Sequence, residues 1–137
     1  MAAIFTGCPG GKSSSGSGAA SPAPTYTDEA AILKADASGG ETQAAFAAIA
    51  LDRSQRATLR LAALRKLEEV QSPRTVATAQ ALALDPSRAK DATFLRENAT
   101  GVLFRAKTDE GRAAVAQVQK SSLELAVLVA RLERGAK

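Results

Sequence analysis

The chain has 137 residues, enough for one domain with a modest hydrophobic core. Apolar residues make up 45% of it, histidine is absent and Cys8 is the single cysteine. This composition excludes the usual zinc ligand sets, a Cys–His nucleophile pair and an intrachain disulfide. The formal net charge of +4 arises from interspersed Lys, Arg, Asp and Glu, which is typical of a solvated surface rather than of a nucleic-acid footprint.

The N-terminal stretch differs in composition from the rest. Residues 9–25 are rich in Gly, Ser and Pro, and such a segment cannot bury enough apolar surface to fold. We therefore predict a disordered segment over residues 1–25 and a helical domain over residues 26–137.

Beyond this segment, apolar residues at helical spacing predict an all-α domain of six to seven helices. The first opens at Asp28 and runs to about Ala37. Ser38 and Glu41 form a Ser-x-x-Glu capping box for the second, which ends at Leu51. Because no stretch alternates polar and apolar residues, no strand is predicted.

The third and fourth helices have separate start signals. Ser54 is the predicted cap of the third, and its apolar stripe should be buried: Leu59, Ala63, Leu67 and Val70. Ser72-Pro73 predicts the start of the fourth, because a cap residue precedes a proline at the first helical position.

Three more helices complete the chain. Asp85-Pro86 predicts the start of the fifth, whose apolar stripe is Ala92, Leu95, Ala99, Val102, Leu103 and Ala106. Thr108 opens the sixth. A second capping box at Ser121 and Glu124 opens the seventh, whose stripe is Leu125, Leu128, Val129 and Leu132 and whose C-terminus is near Gly135.

Two segments of the chain repeat. Residues 41–52 align without gaps on residues 74–85, with six of twelve positions identical at a spacing of 33. Residues 59–67 resemble residues 95–103 at a spacing of 36, through Leu-Arg-x-x-Ala-x-x-x-Leu. Two helices per unit of this length predict a solenoid.

The order of these motifs resembles HEAT repeats. Asp-x-Ser precedes Leu-Arg-x-x-Ala-x-x-x-Leu, and a second helix ending in Ala-Leu-x-Leu-Asp follows, within residues 41–120. The resemblance implies a short right-handed α-solenoid of antiparallel helix pairs. It also implies protein binding by the successive second helices, which carry Thr75, Thr78, Gln80, Arg112, Gln117 and Gln119. Armadillo-type or TPR-type pairing and a plain helical bundle are the alternatives.

Residues 5–8, Phe-Thr-Gly-Cys, resemble a bacterial lipobox, in which the cysteine receives the lipid. The segment after Cys8 has the composition of a tether. Phe5 departs from the usual Leu, and only Met-Ala-Ala-Ile-Phe precedes the motif, where a basic region and an apolar core of about 7–15 residues are typical. The resemblance implies a lipid anchor on Cys8 and a location at the periplasmic side of the cell envelope; a soluble cytoplasmic protein is the alternative.

A few polar residues are further candidates for binding or for ion pairs. Arg53, Arg56 and Arg60 share a helical face and could contact phosphate, although such a row is usually solvated. Arg65 and Glu69 are spaced as an i,i+4 ion pair. Asn98 is expected to satisfy a backbone group between repeats.

Taken with the missing nucleophile–base and metal sets, these patterns predict a protein-binding or scaffold module and no enzyme. No cofactor and no small-molecule substrate is expected. The alternative is nucleic-acid binding through a basic helical surface, which the lack of aromatic stacking residues and the near-even charge disfavour.

Overall fold

A computed structural model describes residues 26–135, and within that range every regular element is an α-helix. The seven helices are α1 (Glu29–Lys34), α2 (Gly40–Leu51), α3 (Ala57–Glu69), α4 (Thr75–Ala83), α5 (Lys90–Arg105), α6 (Asp109–Ser121) and α7 (Leu123–Gly135). The predicted all-α class is confirmed. The predicted segment over residues 1–25 lies outside the described residues.

The helices contact one another in two series. Odd-numbered helices pack in succession, α1 on α3, α3 on α5 and α5 on α7, and even-numbered helices do the same, α2 on α4 and α4 on α6. Consecutive helices join the two series, most extensively α2 with α3 and α4 with α5. The connections between consecutive helices are short, between one and six residues.

The core lies between the two series of helices. Its largest fully buried side chains include Phe46 of α2, Leu59, Leu64 and Leu67 of α3, Leu95 and Leu103 of α5 and Val118 of α6. Ala63 and Ala99 are fully buried as well, which lets neighbouring helices approach closely. Burial of Leu67, Leu103, Ala63 and Ala99 is as the apolar stripes predicted.

The first two helix boundaries differ from the sequence-based expectation. Helix α1 ends at Lys34 because Ala35 adopts an extended conformation, three residues before the predicted end at Ala37. Ser38 does not cap α2, whose N-cap is Gly39 without a side-chain hydrogen bond. Instead Ser38 donates both its N–H and its hydroxyl to Oδ1 of Asp36, at 3.1 and 2.7 Å. The predicted capping box is therefore wrong.

The same kind of turn, at Asp52 and at Asp85, explains why α3 and α5 begin later than predicted. Ser54 donates its N–H and hydroxyl to Oδ1 of Asp52, so it does not cap α3, which begins after Arg56. Ser87 donates its N–H to Oδ1 of Asp85, and α5 begins only after Ala89. An aspartate that bonds the backbone two residues on favours an Asx turn over an immediate helix start.

In the second half of the helical region, one predicted N-cap is confirmed and two are not. Thr108 caps α6 as predicted, accepting the Gly111 N–H at 3.0 Å. The predicted box at Ser121 is off by one residue, since Ser122 accepts the Leu125 N–H while the Ser121 hydroxyl donates back to Gln117 O. Ser72 accepts the N–H of Arg74, so the Ser-Pro turn precedes α4 as a separate turn rather than as its first residues.

Candidate protein-binding surface

One face of the molecule is formed by the even-numbered helices. Because α2, α4 and α6 pack in succession, their outward side chains form one continuous surface, which we call the α2–α4–α6 surface. Besides Gly40, Glu41, Asp109, Glu110, Arg112 and Ser121, the exposed residues of these three helices are Ala48, Leu51, Ala77, Ala81, Ala113, Ala116, Gln117 and Lys120. Five of these eight are alanines, so another protein's backbone can approach the helices closely. Sequence reasoning missed these alanines because their type signals helix and says little about exposure.

Two of the predicted binding residues lie on this surface and connect its helices. Gln80 of α4 donates from Nε2 to Oε1 of Gln117 in α6, at 2.8 Å. Gln80 is half-buried, and Gln117 is exposed. The pair leaves further amide donors and acceptors for a ligand, because each side-chain amide can form up to four hydrogen bonds.

Thr75 and Thr78, in contrast, do not reach the surface. Their exposed fractions are 7% and 3%. The Thr75 hydroxyl donates to the Leu67 carbonyl at 2.8 Å, which ties the start of α4 to the end of α3. The prediction that these two threonines contact a partner is wrong, because each is on the inward side of α4.

The remaining two predicted residues, Arg112 and Gln119, line an open cleft of about 380 Å³ formed by α5, α6 and α7. Its apolar walls include Phe104 and Val115. Lys107 also lines it, and its Nζ lies 5.0 Å from the centroid of the Phe104 ring. Arg112 pairs with Asp109 of its own helix, so much of its charge is already balanced.

A larger cleft of about 540 Å³ lies where α3, α4 and α5 end or begin. Arg105 crosses it, donating from Nε and Nη2 to the two carboxylate oxygens of Glu68 at 2.8 and 3.1 Å. This bidentate bond raises the pKa of the Arg105 guanidinium. The hydroxyls of Ser72 and Thr75 donate to Gln43 Oε1 and to the Leu67 carbonyl, so these two polar groups of the cleft are also engaged.

The three arginines at the start of α3 do not form a phosphate-binding row. Arg56 donates to both oxygens of Glu29 and Arg53 pairs with Asp85, while both residues precede the helix. Arg60 is buried and donates from Nε to the Ala50 carbonyl at 2.9 Å. Its burial lowers the pKa of the guanidinium. The three arginines therefore bond other segments of the chain, and their geometry does not support the hypothesis that they contact phosphate together.

The expected pair of Arg65 with Glu69 is also absent. Glu69 instead pairs with Lys66 at 3.4 Å, and Arg65 donates to Oδ1 of Asn98 at 3.1 Å, which joins α3 to α5. Asn98 donates from Nδ2 to the Phe94 carbonyl of its own helix at 2.8 Å. It therefore bonds an arginine of a neighbouring helix rather than a backbone group between repeats.

Within residues 26–135, no three Asp, Glu, His or Cys side chains are grouped so that they could hold a metal ion. Cys8, the predicted lipidation site, lies outside the described residues. No helix between Tyr26 and Gly135 combines the length and apolar character needed to cross a bilayer.

Comparison of the chain with protein-family models, with curated proteins and with solved structures found no match.

Proposed function

We propose that this protein is a non-catalytic interaction module, a short HEAT-like solenoid that binds another protein through the α2–α4–α6 surface. The observation that supports this best is the order in which the helices contact one another. Each helix packs on the helix two positions further along the chain. Stacked helix pairs produce this order and form extended binding surfaces. The spacings of 33 and 36 residues between similar segments agree with such stacking.

Binding on this surface would combine apolar contact with amide hydrogen bonds. Leu51 is 44% exposed and supplies apolar area at the end of α2. Gln80 and Gln117 supply donors and acceptors at the middle of the surface. Arg112 and Gln119, in the adjoining cleft, extend it toward α7. A partner helix with small or apolar residues along one side suits this combination.

Site-specific photocrosslinking in the native host tests this assignment. A crosslinking side chain at Ala81 or Gln117 should trap the same protein, whereas one at Glu97, exposed on α5, should not. Replacing Ala77 or Ala113 with Glu should remove the crosslinked product while leaving the helical circular dichroism unchanged. Equal yields from all three crosslinking positions would contradict a specific surface.

We also propose that the module is anchored to the bacterial cell envelope by acylation of Cys8. The support is the Phe-Thr-Gly-Cys motif followed by a Gly-, Ser- and Pro-rich stretch. Acyl chains contribute about 0.8 kcal/mol per buried CH₂, so two or three would hold the protein on a membrane. Mass spectrometry of the protein expressed from its own locus, with upstream sequence intact, should show acylated Cys8 at the N-terminus. A product that begins at Met1 with an unmodified thiol would refute the anchor.

A further inference from the structure

Helix α7 packs on α5 and α6 with one side and leaves its opposite side open among the described residues. On the packed side, Leu125 and Val129 are buried. On the open side, Leu123 is 82% exposed and Val127, one turn further on, is 49% exposed. Neither of these two side chains packs against the core of the molecule. Adjacent exposed apolar side chains with charged residues around them are typical of a protein-interaction surface.

Three exposed charged residues lie around this apolar pair, Glu124, Arg131 and Arg134. None of them forms an ion pair with another residue in the range 26–135. Glu124 and Arg131 are two helical turns apart, about 10 Å along the axis, which is too far for them to pair with each other. Glu133 is exposed too, but it lies on another side of α7, where it lines the cleft shared with α5 and α6.

The acid and the base are placed almost symmetrically about Val127. Glu124 precedes it by three residues and Arg131 follows it by four, so each lies one turn away and both lie on the same flank of the open side. If two α7 helices pair antiparallel about a twofold axis at Val127, Glu124 of each copy comes level with Arg131 of the other. Parallel pairing would instead bring each residue level with its own counterpart, Glu124 with Glu124.

We propose that the open side of α7 binds the same side of a second copy, which gives an antiparallel twofold dimer with two Glu124–Arg131 ion pairs. The self-complementary placement of the two charges selects a second copy as the occupant, because a twofold interface uses one patch twice and each group in it must find its complement in that patch. Such an interface needs no net charge on α7. The ion pairs fix the antiparallel orientation.

Apolar contact supplies the affinity of this dimer. Val127 packs on its own counterpart at the twofold axis. Leu123 comes level with the space between Ala130 and Arg134 of the second copy, where it meets a small side chain and the aliphatic stem of the arginine. Because each copy contributes a single helix, the dimer is weak and depends on protein concentration. Below the dissociation constant the open side of α7 is solvated, so substitutions on it leave the stability of the monomer unchanged.

Dimerisation goes beyond the proposed partner binding and uses none of the residues of the α2–α4–α6 surface. A dimer carries two copies of that surface, so a partner with two binding sites gains avidity. The two proposals can fail separately. Self-association is measured on the purified full chain with no partner present, and partner binding is measured by crosslinking at Ala81. A monomeric protein that still crosslinks at Ala81 would therefore overturn only the dimer.

Charge reversal at the two paired positions, followed by sedimentation equilibrium of the full chain, tests the dimer. Glu124→Arg brings two arginines together in each pair, and Arg131→Glu brings two glutamates together. Each variant alone should dimerise about tenfold or more weakly than the wild type. An equimolar mixture of the two should form a heterodimer, because every acid then faces a base again. The double variant Glu124→Arg, Arg131→Glu should dimerise about as well as the wild type.

Matched controls make the same charge changes away from α7. Glu97→Arg on α5 and Arg74→Glu at the N-cap of α4 alter exposed residues that form no ion pair among the described residues, and both should dimerise like the wild type. Circular dichroism shows whether each variant is folded. A wild type that is monomeric at its highest soluble concentration, single reversals that dimerise as well as the wild type, or a mixture without heterodimer would each overturn the proposal.

Discussion

Arg56 holds the carboxylate of Glu29 with two hydrogen bonds, from Nε to Oε2 at 3.1 Å and from Nη2 to Oε1 at 2.7 Å. Thr58 donates its hydroxyl to the same carboxylate. The arrangement fastens the start of α1 to the start of α3, although the residues are 27 and 29 positions apart in sequence. The arginine and the threonine lower the pKa of Glu29 from 4.5 to about 2.

This relationship predicts a pH-dependent contribution to stability. A carboxyl whose pKa is lower in the folded than in the unfolded protein stabilises the fold above the unfolded pKa, and this stabilisation is lost as the pH falls through the folded pKa. Glu29→Gln should therefore lower the urea midpoint at pH 7, and the difference from wild type should shrink between pH 4.5 and pH 2. Glu97→Gln, at an exposed position without an ion pair among the described residues, should shift the midpoint little at either pH. A Glu29 effect that stays constant with pH would contradict this assignment.

Leu67 and Leu103 should be equally costly to truncate. Both are fully buried in the core between the two series of helices. Replacing either with Ala should lower the free energy of unfolding by about 2–5 kcal/mol, through lost transfer energy and the cavity left behind. Urea unfolding measures the loss, and Leu123→Ala is the control, because that leucine is 82% exposed and should cost less than about 0.5 kcal/mol. Wild-type-like stability of both core variants would refute the alignment of α3 with α5.

Helices with a one-sided apolar stripe could be predicted, as in α5, where Ala92, Leu95, Ala99, Val102 and Leu103 are all buried. Their N-termini were harder to predict. Ser38 and Ser54 are good cap residues by type, but an aspartate two positions earlier engages each of them in a turn. Each serine hydroxyl donates to that aspartate instead of accepting an N–H of the following helix, and this outcome is decided by geometry that a cap motif does not encode.

Candidate binding residues were predicted less well than helices. The sequence assigns Thr75 and Thr78 to the correct helix, α4, but which side of α4 faces its neighbours depends on how α2 and α6 pack against it. Polar type alone does not establish exposure, because a threonine whose hydroxyl donates to a backbone carbonyl can be buried without loss.

Gln71 occupies a position that favours glycine. Its φ is 54°, in the left-handed region, and it follows Val70, the C-cap of α3. Its N–H donates to the Glu68 carbonyl and the next N–H, of Ser72, donates to the Leu67 carbonyl, which together form a Schellman motif. Gln71→Gly should raise the free energy of unfolding by about 1 kcal/mol, since a side chain in this conformation costs about 1–2 kcal/mol and glycine returns part of that through its greater freedom when unfolded.

Two further substitutions at residue 71 control for loss of the glutamine itself. Gln71→Ala keeps a Cβ and should remain close to the wild type, whereas Gln71→Val should be less stable, because a β-branched side chain tolerates this conformation poorly. Urea midpoints at an unchanged m-value report these differences. A glycine variant less stable than the alanine variant would show that a Cβ is not strained at residue 71, and an alanine variant well below the wild type would show that the Gln71 side chain makes a stabilising contact.

Glycine is required at residue 111, in the first turn of α6, because the backbone there lies very close to Ala106. A Cβ built on it would lie 2.5 Å from the Ala106 carbonyl oxygen and 3.0 Å from the Ala106 Cβ. Its own N–H donates to the Thr108 hydroxyl that caps the helix, so α6 cannot move away without losing the cap. Gly111→Ala should therefore lower the free energy of unfolding by about 1–3 kcal/mol, even though alanine is the better helix former.

The matched control is Gly40→Ala, at the first residue of α2, where an added Cβ meets nothing within 4 Å. That variant should equal or exceed the wild type in stability, because alanine loses less backbone entropy on folding than glycine does. Thermal or urea unfolding of the two variants side by side separates close packing at Gly111 from general helix propensity. If Gly111→Ala were as stable as Gly40→Ala, the connection between α5 and α6 would have to be loose enough to shift, and the tight turn through Ala106 would not fix the position of α6.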